Sequence, residues 1–184
     1  VIVGELGSGT PITANIVFDK IGVDIEAITG ITPDKALKQF LMGEVDAIFF
    51  VGGKPISYIN RLLEMKNDEN LRKYTADIHL IPLDDERLYD TYTKANIYPT
   101  DYQSKNGLHR LTESTVPTIA AQALLVSYDF SKNDTPYYKR RCEQVRQLNS
   151  VIRKKLDELA NNESGKYHSK WAEVDLDQAT RLPQ

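Results

Sequence analysis

Apolar and polar positions follow two rhythms along the chain. Val1-Ile2-Val3 is an unbroken apolar run, which predicts a short buried strand. Behind Gly7-Ser8-Gly9, the residues Ile12, Ile16, Val17 and Ile21 recur at helical spacing and Gly22 supplies a stop. Thr10 stands where an N-cap belongs and Pro11 where the first helical residue belongs. Ile25 to Ile28 predicts a second strand. Thr32-Pro33 then starts a helix carrying Ala36, Leu37, Phe40 and Leu41, ended by Gly43. Val45 to Val51 predicts a strong strand that closes in Gly52-Gly53-Lys54-Pro55, and residues 56–66 a helix. Ile78 to Leu83 predicts another strand, and Asp84 to about Thr93 a short helix capped by Asp84. Strands alternating with helices argue for βαβ units in an α/β fold with a largely parallel sheet.

The texture then changes. Residues 96–114 are polar, with Tyr98, Pro99, Tyr102 and Gly107, and predict a loop or extended segments. Thr118 to Val126 is a long apolar run, expected as a buried strand. Thr135-Pro136 starts the longest helix, whose Tyr138, Cys142, Val145, Leu148, Ile152, Leu156 and Leu159 fall three or four apart. That stripe is expected as a packing face. The tail from Asn161 is polar around Trp171, and no internal repeat is visible.

Composition narrows the class. The chain has 184 residues, 41% hydrophobic, enough to bury a sizeable core and too apolar for a disordered chain. Its charges are mixed, with a formal net charge of -3, so nothing points to nucleic acid or an anionic membrane. Cys142 is the single cysteine, which excludes an internal disulfide and a multi-thiolate zinc site. His79, His109 and His168 are scattered without metal-ligand spacing. No cofactor is expected. No apolar run approaches the roughly twenty residues of a membrane span, so no direct membrane insertion is expected. No signal peptide is visible, and the chain begins inside an apolar run without methionine, as a piece of a longer protein would.

Two glycine loops carry the candidate chemistry. Gly7, Ser8, Gly9 and Thr10 lie between a strand and a helix start, where free backbone N–H groups and the helix dipole suit an anion. The same pattern also serves as a plain βα turn. Gly53 and Lys54 follow the Val45–Val51 strand at its carboxyl end, where ligands gather in a parallel sheet. They would face the same crevice, or form a surface turn with a solvated lysine. Tyr98 and Tyr102 would border a cleft or pack over a loop. Asp46 lies at the opposite end of its strand and reads as structural. No P-loop is present, because Gly9 precedes Thr10 and Gly53-Lys54 precedes Pro55. Gly4, Gly7 and Gly9 also miss the dinucleotide spacing. Ser8 lacks the flanking glycines of a nucleophile elbow, and no catalytic residue is assigned.

Together, V-x-V-G-x-x-G-S-G-T at residues 1–10, G-E-V-D-A-I-F-F-V-G-G-K-P at residues 43–55 and the Tyr-Pro stretch before the long apolar strand resemble the TAXI family of TRAP transporter solute receptors. The likeness runs in order to about residue 160. It implies a type II periplasmic-binding-protein fold in which residues 1–115 form the second α/β lobe. Residues 116–184 would supply a crossover strand and C-terminal helices belonging to the first lobe, most of which lies upstream of this chain. It further implies an extracytoplasmic or periplasmic receptor, not an enzyme. Its ligand would be a small organic acid or an acidic amino acid such as glutamate, and its partners TRAP membrane subunits. Gly7, Ser8, Gly9 and Thr10 would present the carboxylate site, with Gly53, Lys54 and Tyr98 beside it. The lysine is not a fixed part of the family pattern. Two other readings remain open from the residues: a ligand-sensing domain of a signalling or channel protein, and an enzyme on a periplasmic-binding-like fold.

Overall fold

The computed structural model describes residues 1–161 and 166–176. Five α-helices are described: α1 Gly9–Ile21, α2 Pro33–Leu41, α3 Ser57–Met65, α4 Glu69–Thr75 and α5 Pro136–Ala160. The described residues hold one sheet, of two antiparallel strands, β1 Thr93–Ile97 and β2 Val116–Ala120. The structure divides into two compact units, Val1–Gln122 and Ala123–Gln184, and β2 belongs to the first.

Local chemistry explains most helix ends. Thr32 and Thr135 are the N-caps of α2 and α5, each followed by proline at the first helical position, as the sequence predicts. Gly22 ends α1 at φ +67°, a left-handed geometry open to glycine, and its N–H and that of Val23 satisfy the carbonyls of Asp19 and Phe18. The start of α1 differs from expectation. Its N-cap is Ser8, so Thr10 and Pro11 lie inside the first turn, where a missing N–H costs nothing. Helix α4 has no apolar stripe to announce it, but Asp68 caps it by accepting the Asn70 N–H at 2.8 Å.

The strand predictions need more correction. Ile2 forms single parallel bridges to both Ile28 and Ile48, tied by backbone bonds such as Val3 N to Ile28 O and Phe49 N to Ile2 O. The parallel pairing therefore runs in the expected direction, but it stays at isolated bridges and a largely parallel sheet is not formed among the described residues. Gly4, at φ +94°, turns the chain away directly after Val3 and leaves no length for a ladder. Ile78 to Leu83 is not a strand. Pro82 has no N–H to give, and the segment makes one backbone bond to β2, Leu83 N to Pro117 O. The expected helix from Asp84 shrinks to one 3-10 turn, Glu86–Leu88, and Thr93 already opens β1.

The register of the hairpin explains the shortened apolar strand. It pairs Thr93 with Ala120 and Ile97 with Val116, so β2 ends where β1 begins. Beyond Ala120 there is no partner strand in the sheet, and Leu124, Leu125, Val126 and Tyr128 are exposed instead of buried.

Two apolar clusters form the core of the first unit. Ile2, Ala36 and Val45 pack with Ile28, Ile31, Phe40 and Ile48 around the parallel bridges. Ile59, Leu63, Tyr102 and Leu111 pack with Ile56, Ile78, Leu80 and Ile97. In the second unit α5 carries no buried residue. No helix among the described residues is long and apolar enough to cross a membrane.

Candidate functional site

The bridges at Ile2 set the site's frame. Because Ile2 runs parallel to both Ile28 and Ile48, the residues after all three leave toward the same end. Gly4 to Ser8 and the start of α1 follow Ile2, Gly30 follows Ile28, and Phe50 to Pro55 follow Ile48. Gly30 N–H donates to Gly4 O at 3.0 Å, which joins the first two of these loops.

The first loop is closed by its glycines. A side chain at Gly4 would meet the Thr10 Cβ at 3.2 Å, so only glycine lets Thr10 pack so closely over the turn. Gly7 is also left-handed, at φ +80°. Ser8 N–H and Oγ both donate to Glu5 O, at 3.2 and 2.9 Å. The serine proton therefore braces the loop, and Ser8 makes no side-chain cap to α1. Helix geometry leaves the first N–H groups of α1 without intrahelical partners, and of these Gly9 and Thr10 carry N–H while Pro11 does not. The dipole of this 13-residue helix adds partial positive charge at that point.

The second loop is built differently. Lys54 Nζ donates to Asp101 Oδ2 at 2.6 Å and to Asn96 O at 3.0 Å, and it lies 5.0 Å from the centre of the Tyr98 ring. Asp101 Oδ2 also accepts the Tyr98 N–H at 2.7 Å, while Asp101 N–H donates back to Tyr98 O at 2.9 Å. Tyr98-Pro99-Thr100-Asp101 is thus a tight turn with proline at its favoured second position. A second tie runs parallel to the first: Ile56 N–H donates to the Tyr102 hydroxyl at 3.1 Å. Burial pushes the Tyr102 phenol above its ordinary pKa, because the charged phenolate would be desolvated.

The structure therefore brings Lys54 and Tyr98 into direct contact and sets Gly7, Ser8, Gly9 and Thr10 at the same end of the bridges as Gly53. Tyr102 is 2% exposed and packs in the core under the loop, which decides between its two sequence readings. Sequence reasoning missed Asp101 and Asn96. The Pro99-x-Asp101 turn was the visible signal for Asp101. Nothing in the sequence alone linked Asn96 to a lysine 42 residues earlier.

Other charged features lie apart from these loops. Asp24, Glu26, Glu44 and Asp46 line an open groove of about 380 Å³ with Val1 and Val45, at the opposite, amino end of the bridges. No group of three or more side chains that could hold a metal ion occurs among the described residues. Arg87 Nη2 donates to Ile21 O at the last turn of α1, at 2.9 Å, and pairs with Asp85. The Arg87 guanidinium, by its side-chain hydrogen bond and then the Arg87 N–H, holds Asp85 down at a pKa of about 2.

A family model described as the NMT1-like family matches residues 1–169. No curated protein and no solved structure matches the chain.

Proposed function

The chain belongs to the NMT1-like family, a periplasmic-binding-protein-like family, and from that premise we propose that it is a solute-binding module acting outside the cytoplasm. More finely, it is the receptor component of a TRAP-type transporter of the TAXI kind. It recognises a small carboxylate, such as glutamate or another organic acid, and catalyses nothing. In this reading residues 1–115 form the second α/β lobe of a type II scaffold, residues 116–184 supply a crossover strand and C-terminal helices belonging to the first, and the ligand sits in the cleft between lobes.

The observation that carries the reading is the pair of parallel bridges at Ile2, which sends both glycine loops toward one end. At that end the α1 N–H groups offer hydrogen bonds to an anion without adding a mobile charge. Charge-assisted bonds of this kind are the strong ones, and closure around the ligand would strengthen them by removing water. The Ser8 hydroxyl, whose proton is engaged by Glu5 O, braces the loop and is not aimed at a base.

Isothermal calorimetry on the full-length receptor tests this, with glutamate, glutamine and a series of dicarboxylates. Saturable binding of at least one carboxylate is expected, weakened about tenfold or more by Gly9→Pro, which removes one α1 N–H. Silence toward every carboxylate, beside binding of a sugar or a cation, would sink it.

A further inference from the structure

Lys54 is held by groups that do not all need it. Asp101 takes one ammonium proton, Asn96 O takes a second, and the Tyr98 ring covers the cation from the side. The Asp101 carboxylate has a second partner in the Tyr98 N–H. If the two side chains part, Asp101 keeps that N–H, and Lys54 keeps the Asn96 carbonyl and the ring. Neither charge is stranded, which is the condition under which an ion pair can open at low cost. The side chains of Lys54 and Asp101 are 28% and 20% exposed, so the pair is sheltered but reachable from solvent.

We propose that Asp101 is an internal competitor for Lys54: its carboxylate holds the ammonium group in the place that a ligand carboxylate at this loop would take. Ligand entry then exchanges one carboxylate for another on the same cation, and the internal pair sets a threshold against weakly binding anions. This rests on the carboxylate reading above. It assigns Lys54 to ligand contact and Asp101 to specificity, as the group that a ligand must displace.

The test is an NMR titration of the full chain with sodium acetate, against sodium chloride at equal ionic strength, following the Lys54 side-chain resonance. Asp101→Asn removes the competing charge and should lower the acetate half-saturation about twofold to fivefold, the range set by a partly exposed ion pair. The Tyr98 amide, which donates to Asp101, should move with the same half-saturation, and Lys54→Met should abolish that movement. A response in Asp101→Asn no stronger than in the wild type, or absent from both, overturns the proposal. Should Asp101→Asn not fold, Asp101→Ser removes the same charge and must also lower the half-saturation; no change there overturns it equally. The amides of Gly9 and Thr10, followed with glutamate in the same samples, separate the two readings. Their movement without a gain in Asp101→Asn removes the competitor and keeps the carboxylate site. A gain at Lys54 while those amides stay still keeps the competitor and removes the glycine cradle.

Discussion

Helices α3 and α5 both carry apolar residues at helical spacing and end in different surroundings. α3 has 9 residues and buries Ile59, Leu62 and Leu63 in the first unit. α5 has 25 residues and a longer apolar stripe, yet none of its residues is buried. The difference lies in what else arrives. Around α3, Tyr102 and Leu111 come from a segment some forty residues later and close the cluster. The second unit relies on local contacts. Tyr128, Phe130, Tyr138 and Tyr137 follow one another edge-to-face at 5.6 to 6.1 Å and frame the start of α5. A periodic stripe thus specifies a helix, while burial needs a surface that the stripe itself does not encode.

The comparison can be broken most sharply with two leucines. Leu63 is fully buried and Leu148 is 51% exposed. Leu63→Ala should cost about 2–5 kcal/mol through lost burial and a cavity, whereas Leu148→Ala should stay within about 0.5 kcal/mol. Urea unfolding of both variants reads this. Equal losses would mean that α5 packs against something in solution and that the contrast between the units is not intrinsic.

A smaller effect sharpens the account of how the first unit is closed. Tyr102→Phe keeps the ring in its cluster but removes the acceptor of the Ile56 N–H, and should cost about 1–2 kcal/mol. Hydrogen exchange at Ile56 should speed up in this variant while α5 amides stay unchanged. The phenol also predicts an alkaline limb. Its folded pKa is raised, so its contribution is complete below about pH 10 and is lost as pH rises through the folded value. That limb should vanish in Tyr102→Phe.

The smallest effect concerns the exposed tie at the end of α1. Asp85 has its pKa lowered to about 2, so its contribution is present above the ordinary value of 3.8 and lost as pH falls through about 2. Acid titration of the melting temperature should show a shallow limb in that window, absent in Asp85→Asn. The Arg87 bond to Ile21 O should survive that substitution, because the guanidinium reaches the carbonyl directly.

The legibility of the molecule follows sequence distance. Thr32-Pro33, Thr135-Pro136 and the Gly22 stop act within a turn of the residues they organise, and they were readable. The direction of the Ile2 pairing was readable too, because glycine-bounded apolar runs separated by helices imply parallel neighbours. Strand extent was not. Ile78 to Leu83 is as apolar as Val45 to Val51, and only the position of Pro82 warned against it. The run to Val126 looked like a core strand because hydrophobicity does not say whether a partner reaches that far. At the candidate site the loops were found from their glycines, but the state of Lys54 was invisible until Asp101 stood beside it.

By itself, then, the sequence determined the starts of α2 and α5, the stop of α1 at Gly22, the parallel sense of the pairing at Ile2, and membership of the NMT1-like family. These rest on capping groups, proline and glycine backbones, and residue order, all of which act locally or along the chain. Tertiary structure alone decided which apolar residues are buried, where β2 stops, and that Lys54 meets a carboxylate 47 residues away. Such outcomes depend on which distant segments arrive together. That is a competition among whole packings, and no short window of residues contains it.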